Sequence, residues 1–157
     1  MLSSNAHLIQ KILEEKGIES RVVEFPESTH TAVEAAAAIG CDVAQIAKSL
    51  IFKTKTTHRP VLVLASGPNR VDEKIIAAEV GEEIMRADPD FVRDVTGFAI
   101  GGVSPIGHKK RIDLVFIDED LLKCAEIWAA AGTPHAVFNL TQEHLVTLTG
   151  GKIIRIR

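Results

Sequence analysis

The sequence predicts a single α/β domain over residues 1–157, in which helices surround a mixed, mostly antiparallel sheet. Hydrophobic residues make up 46% of the sequence and charged residues 25%, a balance typical of proteins with a globular core. The length of 157 residues suits one such core, because single domains run to about 100–200 residues. Several β-rich runs follow one another with no helical run between them, which favours a mixed sheet over a regular doubly wound fold.

Helical patterns open the sequence and recur along it. Apolar residues at helical spacing from Leu8 to Leu13 predict a first helix over Ser4–Lys16 that ends at Gly17. Polar N-cap residues and terminal glycines predict the remaining helices. These are Ala32–Ile39, a short helix from Asp42 to about Lys48, Asp72–Val80, Pro89–Val95, and a last helix capped by Thr141.

Strands are predicted where β-branched and apolar residues run between turn residues. A polar run between the second and third strands favours a central hairpin. The predicted strands are Arg21–Phe25, Ser49–Thr54, Val61–Ala65, Ile112–Ile117, Ile127–Ala130, Ala136–Asn139 and Lys152–Ile156. Lys48 is thus expected where a helix passes into a strand.

Charge and composition exclude several classes of protein. The net charge of −3 argues against binding nucleic acid through bulk charge, so any RNA contact is expected to be local. The first thirty residues are rich in glutamate and lack a long apolar run, so we expect a cytoplasmic protein with no targeting or membrane segment. Cys41 and Cys124 lack the spacing of a metal site or a disulfide framework, and we expect reduced thiols, no metal and no cofactor.

The segment from Gly101 to Gly107 is the most unusual stretch, with three glycines, Ser104 and Pro105 in seven residues. Backbone N–H groups in such a loop can approach a ligand closely and bind a developing oxyanion. A tight structural turn is the alternative, because glycine and proline punctuate many loops. The common GxSxG, Walker and GxGxxG signatures are missing from the sequence.

Lys48 and three histidines are further candidates. Lys48 is flanked by apolar residues, so its stem can lie along the core while its ammonium reaches a cleft; a solvated surface lysine is the alternative. Of the six histidines, His30, His108 and His135 lie in predicted loops. No metal-ligand spacing joins them, and ordinary surface or hydrogen-bonded histidines are the alternative.

Three segments taken together resemble the YbaK/EbsC family, whose members are relatives of the prolyl-tRNA synthetase editing domain. They are residues 30–36, which begin with His30 and Thr31, residues 46–50 around Lys48, and residues 96–108, which contain a GxxxP loop. The resemblance extends from the opening helix to the final strand. It implies an α/β domain with a mixed sheet that acts in trans and hydrolyses the ester between a wrongly attached amino acid and the terminal adenosine of tRNA.

The resemblance also implies the roles of individual residues. Lys48 matches the family's essential lysine, and the GxxxP loop matches the segment that surrounds the aminoacyl ester. The expected catalytic residues are Lys48, Gly101, Gly102, Ser104 and Pro105, and the expected substrate contacts are His30, Thr31, Val103, Gly107, His108, Thr133 and His135. A nucleophilic side chain is not expected; a water held by loop backbone and by the substrate would attack, and Lys48 would contact the ester, the phosphate or the ribose.

Substrate identity is expected to follow from the segment that contains Thr133 and Pro134. It departs from the Gly-Lys pattern of the cysteine-preferring subgroup, so we expect tRNA-Pro charged with alanine or another small residue, and prolyl-tRNA synthetase is the candidate partner. One alternative is a non-catalytic module, associated with a synthetase, that binds tRNA ends or nucleotides; another is an interaction protein with a vestigial cleft. The run Lys109-Lys110-Arg111 is the local candidate for RNA contact, with a solvated turn as its alternative.

Overall fold

An eight-stranded mixed sheet forms the centre of the computed structural model, which describes residues 2–157. The strands are β1 (Val23–Glu24), β2 (Ile46–Thr54), β3 (Pro60–Ser66), β4 (Ile84–Arg86), β5 (Leu114–Asp118), β6 (Ile127–Ala130), β7 (Ala136–Leu140) and β8 (Lys152–Ile154). Their order across the sheet is β1-β7-β6-β2-β3-β5-β8, and β4 pairs with β2 outside this path.

Antiparallel and parallel pairs both occur in the sheet. β2 pairs antiparallel with β3 and with β4, and β7 pairs antiparallel with β6 and with β1. The pairs β2–β6, β3–β5 and β5–β8 are parallel. The structure therefore confirms a mixed, mostly antiparallel sheet, and the predicted central hairpin is β2–β3.

Five α-helices cover the two faces of the sheet within residues 2–157: α1 (Ser4–Glu15), α2 (Ala32–Ile39), α3 (Glu73–Val80), α4 (Pro89–Thr96) and α5 (Gln142–Thr149). Their N-caps follow the predicted chemistry; Thr31, for example, forms a reciprocal capping box with Glu34. Local sequence signals of this kind place helix starts accurately because each satisfies backbone N–H groups that the helix leaves unpaired.

The core lies on both faces of the sheet. Helices α1, α4 and α5 bury Ile9, Val92 and Leu145 in the larger cluster, on the sheet face that carries Ala47 and Ile51. Helix α3 packs with Phe52 and Val63 on the opposite face, and α2 packs against Ile46 and Trp128. Because side chains alternate along β2, Lys48 projects from the face that α2 and α3 cover.

The predicted helix from Asp42 to Lys48 is wrong. Only Val43–Gln45 turn helically, as one 3₁₀ turn, and β2 then begins at Ile46, so Lys48 lies inside a strand. The Asp42 N–H donates to the Gln45 side chain at 3.0 Å, which closes a single turn. The β-rich run that follows pairs with β3 from Ala47 onward, and this pairing overrides the helical signal.

Two strands differ from the prediction. Strand β4 was not predicted, and β1 is limited to Val23 and Glu24. Cys41 and Cys124 are free, half-buried thiols, and burial raises the pKa of each. Within residues 2–157, every helix is too short or too polar to cross a membrane.

Candidate active site

A break in the pairing of β2 creates the site. Along the edge of β2 that faces away from β3, β6 pairs only with Ile46 and Ala47, and β4 pairs only with Phe52–Thr54. Residues 48–51 lie between these two partners and, among the described residues, have no strand beside them on this edge. The sheet therefore has a gap at its centre.

Ser49 presents its polar groups at this gap. The Ile51 oxygen accepts from the Ala87 N–H at 3.3 Å and the Lys55 N–H donates to the Glu83 oxygen at 2.9 Å, so odd-numbered residues of β2 direct their main-chain groups toward this edge. Strand periodicity places the N–H and the carbonyl oxygen of Ser49 there too. The Ser49 hydroxyl oxygen is buried and has no hydrogen-bond partner among residues 2–157.

A cavity of about 450 Å³ opens at the gap. Its volume lies in the range of small-ligand sites, about 300–1,000 Å³. Small and branched apolar side chains form most of its walls, among them Ala47, Val103, Ala129 and Val137. The polar residues that line it are Thr29, His30, Thr31, Lys48, Ser49 and Arg86. The cavity is thus an apolar chamber with a few polar groups.

Lys48 is the half-buried cation of the cavity. Its Nζ donates a hydrogen bond of 2.7 Å to the main-chain oxygen of Asn69. Burial lowers the pKa of Lys48, the nearby Arg86 guanidinium lowers it further, and the Asp118 carboxylate opposes both. An ammonium held in this partly apolar setting interacts more strongly with a developing negative charge than one in water.

The glycine loop approaches the cavity at Gly101, whose φ is +94°. A β-carbon at Gly101 would overlap the His30 imidazole, and one at Gly102 would lie 2.7–3.0 Å from the backbone of Thr133 and Pro134. Both positions therefore require glycine for close approach. The Gly102 N–H donates to the Ala99 oxygen at 3.0 Å, so this N–H is not free to bind an oxyanion.

A model of the aminoacyl-tRNA editing domain family matches residues 26–148. The chain belongs to this family. The editing domain is 30% identical to YwhH of Bacillus subtilis strain 168 over 135 residues, which are 86% of this chain and 85% of YwhH. It is 26% identical to EbsC of Enterococcus faecalis strain V583 over 93% of this chain and 90% of EbsC, a protein named as a candidate Cys-tRNA(Pro)/Cys-tRNA(Cys) deacylase.

A solved structure extends the comparison to the fold. A candidate trans-editing enzyme for prolyl tRNA synthetase is 44% identical, covers 100% of this chain and 99% of its own, and superposes with a TM-score of 0.92. The mixed α/β fold of the editing domain and its likeness to the YbaK/EbsC proteins are thereby confirmed.

The cavity of the editing domain brings together five of the residues singled out in the sequence. Lys48, His30, Thr31, Gly101 and Val103 all line it, although they come from three distant segments. The β2 strand, the loop before α2 and the glycine loop therefore meet at one place.

The rest of the glycine loop lies behind the cavity wall. Ser104 is fully buried, and its hydroxyl accepts from the Ile106 N–H at 3.2 Å. His108 Nε2 lies 2.7 Å from the Ser104 oxygen, and burial lowers the pKa of His108. Pro105 is buried, and Gly107 packs against the side chain of Ile9. These residues support the loop and are not part of the lining.

Thr133 and His135 also lie outside the lining and support the His30 loop. Between them, the Pro134 oxygen accepts from the Thr29 N–H at 2.6 Å and from the Thr29 hydroxyl at 3.0 Å. His135 Nδ1 lies 3.0 Å from the Glu27 oxygen. The segment predicted to choose the amino acid thus fixes the position of the loop that carries His30.

Sequence reasoning missed Ser49 and Arg86. Ser49 follows Lys48 directly, but its importance depends on the gap, which is a property of the assembled sheet. Arg86 lies on the unpredicted strand β4, with its guanidinium 5.9 Å from the centre of the Phe52 ring. Both add polar groups to the cavity.

The basic run beside the glycine loop is largely paired. Lys110 Nζ lies 2.8 Å from Asp94, and Arg111 Nε lies 2.7 Å from Asp113. These exposed pairs reduce the local positive charge that RNA would meet. In residues 2–157, no group of three or more His, Cys, Asp or Glu residues is arranged to hold a metal ion.

Proposed function

We propose that this protein is a trans-acting aminoacyl-tRNA deacylase, which hydrolyses the ester of tRNA-Pro that carries a small non-cognate amino acid. Membership of the editing domain family supports an ester on tRNA as the substrate. The names of EbsC and of the solved relative support the prolyl system. The observation that carries the proposal is the convergence of Lys48, Gly101 and Ser49 on one cavity.

The reaction adds water across one bond. A water oxygen attacks the ester carbonyl carbon, the carbonyl oxygen gains negative charge, and the bond from carbon to the ribose oxygen then breaks. The proton lost by the water ends on the ribose oxygen, so the products are the free amino acid and uncharged tRNA. His30 supplies an imidazole at the cavity that can carry this proton.

Lys48 has the chemistry to stabilise the charge that develops in this step. Its ammonium is half-buried and directed by Asn69, so little reorganisation is needed when the oxyanion forms. Removal of one such preorganised donor typically costs about 100- to 1,000-fold in rate. We therefore assign the ester oxyanion to Lys48, rather than the terminal phosphate.

Ser49 and the walls around it fit a small amino acid. The main-chain oxygen of Ser49, which faces the gap, can accept from the substrate's α-ammonium. The Ser49 hydroxyl has no partner among residues 2–157 and is available for a hydrogen bond to the substrate. Ala129 and Ala130 line the cavity across the gap, where they leave room for a short side chain. Alanine is our expected substrate, because Thr133 and Pro134 depart from the pattern of the cysteine-preferring relatives.

The direct test is clearance of tRNA-Pro charged separately with alanine, serine, cysteine and proline. Wild type should clear the alanyl ester fastest and leave the prolyl ester intact. Lys48→Ala should lose the activity, whereas Lys53→Ala should retain it, because Lys53 lies on the same strand but outside the cavity lining. Far-UV circular dichroism of both variants checks that the fold is kept.

A non-catalytic module that binds tRNA ends is the second candidate. Within residues 2–157, the cavity lining has no carboxylate and no thiol, so neither of these two kinds of nucleophile is available there. Tight binding of aminoacyl-tRNA with every ester left intact would establish this function and overturn the deacylase proposal.

A further inference from the structure

A buried carboxylate lies at the end of β5, outside the cavity lining. Asp118 is only 1% exposed. Its Oδ2 accepts from the Ser66 N–H at 2.9 Å and from the Asn69 side-chain amide at 2.8 Å, while its Oδ1 accepts from the Asp120 N–H at 2.9 Å. One oxygen therefore caps the 3₁₀ turn Glu119–Lys123, and the other binds the last residue of β3 and the segment after it.

Asn69 connects this carboxylate to the cavity. Its amide nitrogen lies between Asp118 and Asp120, with the Asp120 oxygen at 2.7 Å, and its main-chain N–H donates to the Ser66 oxygen at 2.9 Å. Its main-chain oxygen accepts the hydrogen bond from Lys48 Nζ at 2.7 Å. A continuous series of hydrogen bonds thus runs from Asp118 through Asn69 to Lys48.

We propose that Asp118 and Asn69 are positioning residues that hold the Lys48 ammonium at the cavity. For its effect on catalysis, this inference rests on the proposed deacylase function. Lysine has a flexible side chain that loses considerable rotamer freedom when it is fixed. The main-chain oxygen of Asn69 is a fixed acceptor because the Asn69 side chain is anchored to the Asp118 and Asp120 carboxylates. The placement of Lys48 therefore depends on Asp118, although Lys48 and Asp118 make no direct hydrogen bond.

The arrangement exceeds what a helix cap requires. Capping of the 3₁₀ turn uses Oδ1 of Asp118 alone. Oδ2 is directed away from that turn toward Ser66 and Asn69, and its negative charge favours a cation at Lys48. A reaction centre is sensitive to such placement, since a displacement of about 1 Å can cost about 100-fold in rate.

The test uses Asn69→Ala and Asp118→Asn in the full-length protein, with Lys123→Ala as the matched control. Lys123 contacts the same Asp120 carboxylate, at 2.9 Å, but has no hydrogen bond to Asn69 or Lys48. The first measurement is the rate at which acetic anhydride acetylates Lys48 relative to Lys53, read from peptide masses. We expect a several-fold increase for Lys48 in Asn69→Ala, which changes no charge, and no change in the control. Asp118→Asn should show at least the same increase, because it also lowers the pKa of Lys48.

The second measurement is single-turnover deacylation of alanyl-tRNA-Pro. Asn69→Ala should lower the maximal rate by ~10- to 100-fold, because the Lys48 ammonium is no longer held in place. The substrate affinity should stay within about two-fold of wild type, because the groups that bind the substrate are kept. The proposal is overturned if Asn69→Ala has both the wild-type acetylation rate at Lys48 and the wild-type maximal rate of deacylation. If wild type itself clears no ester, the deacylase function fails, whereas the acetylation measurement still decides whether Lys48 is positioned. If Asp118→Asn does not fold, Asn69→Ala decides alone.

Discussion

The α-carbon of Gly101 lies directly against the imidazole of His30, so that a β-carbon at residue 101 would overlap the ring. The contact joins the glycine loop to the loop before α2 at the cavity. Gly101→Ala would add a methyl group at a φ of +94° and would displace His30 as well. We expect a loss of about 1–3 kcal/mol in stability and a marked loss of deacylation.

Gly97→Ala is the control for this prediction. Gly97 also has a positive φ, +82°, but the nearest atom to an added β-carbon is Lys109 Cβ at 3.6 Å, so the strain arises without a collision. Urea unfolding should therefore show a comparable backbone cost for Gly97→Ala, with deacylation at the wild-type rate. Equal activity in the two alanine variants would show that the His30 contact has no part in the reaction.

The pH dependence of the reaction should report on Lys48. If the ammonium is the active form, the rate declines as pH rises through the pKa of Lys48. Burial and Arg86 lower that pKa, so the decline should come at a lower pH than for an ordinary lysine. Asp118→Asn removes a charge that raises the pKa, and the decline should move further down in pH.

The measurement is the single-turnover rate from neutral pH upward, after subtraction of spontaneous ester hydrolysis. Lys123→Ala should keep the wild-type profile. If the rate declines at the same pH in wild type and Asp118→Asn, the reaction does not depend on the charge of Lys48.

Local chemistry explains which elements the sequence predicted. The β2–β3 hairpin follows from two apolar, β-rich runs separated by a polar turn, and Thr31 and Glu34 mark the start of α2. The helix predicted after Asp42 failed because a capping signal shows where a helix starts and not how far it extends. Strand β4 is three residues long, which is too short for an alternating pattern to be recognised.

The site was predictable only in part. Lys48 and the glycine loop were found through their motifs, and five of the predicted residues do line one cavity. Ser49 and Arg86 gain their place from the gap between β6 and β4, which arises only when distant segments assemble. Ser104 is conspicuous in the sequence, yet the loop buries it.

Ser49→Ala should weaken the reaction with substrate without destabilising the fold. In the free protein the Ser49 hydroxyl has no partner among the described residues, so its removal should leave stability unchanged or raise it by up to ~1 kcal/mol. On the proposed function, kcat/KM should fall by ~5-fold, because a hydrogen bond from this hydroxyl to the substrate would be worth about 1 kcal/mol.

Ser66→Ala provides the contrast in thermal unfolding. Ser66 is also buried, but its hydroxyl donates to the Ala44 oxygen at 2.7 Å, so the alanine variant should lose about 1 kcal/mol. A comparable loss of stability in Ser49→Ala would mean that the Ser49 hydroxyl is paired in the free protein.

Glu82 should account for part of the acid sensitivity of the fold. Its carboxylate accepts from the Thr57 hydroxyl at 2.8 Å and from the N–H groups of Thr56 and Thr57 at 3.1 Å. The Thr57 hydroxyl first, and then these N–H groups, lower the pKa of Glu82 to about 2. A carboxyl with a lowered pKa stabilises the folded state above its unfolded pKa of about 4.3, and this contribution is lost as pH falls toward about 2.

Glu82→Gln should therefore be less stable than wild type at neutral pH, and the difference should shrink as pH falls through that window. Urea unfolding at a series of pH values measures it. Glu83→Gln is the matched control: among the described residues, the exposed Glu83 carboxylate pairs only with Lys55, at 3.3 Å, so this variant should follow wild type throughout. A constant difference between Glu82→Gln and wild type across the acid range would show that the Glu82 contacts act through shape and not through charge.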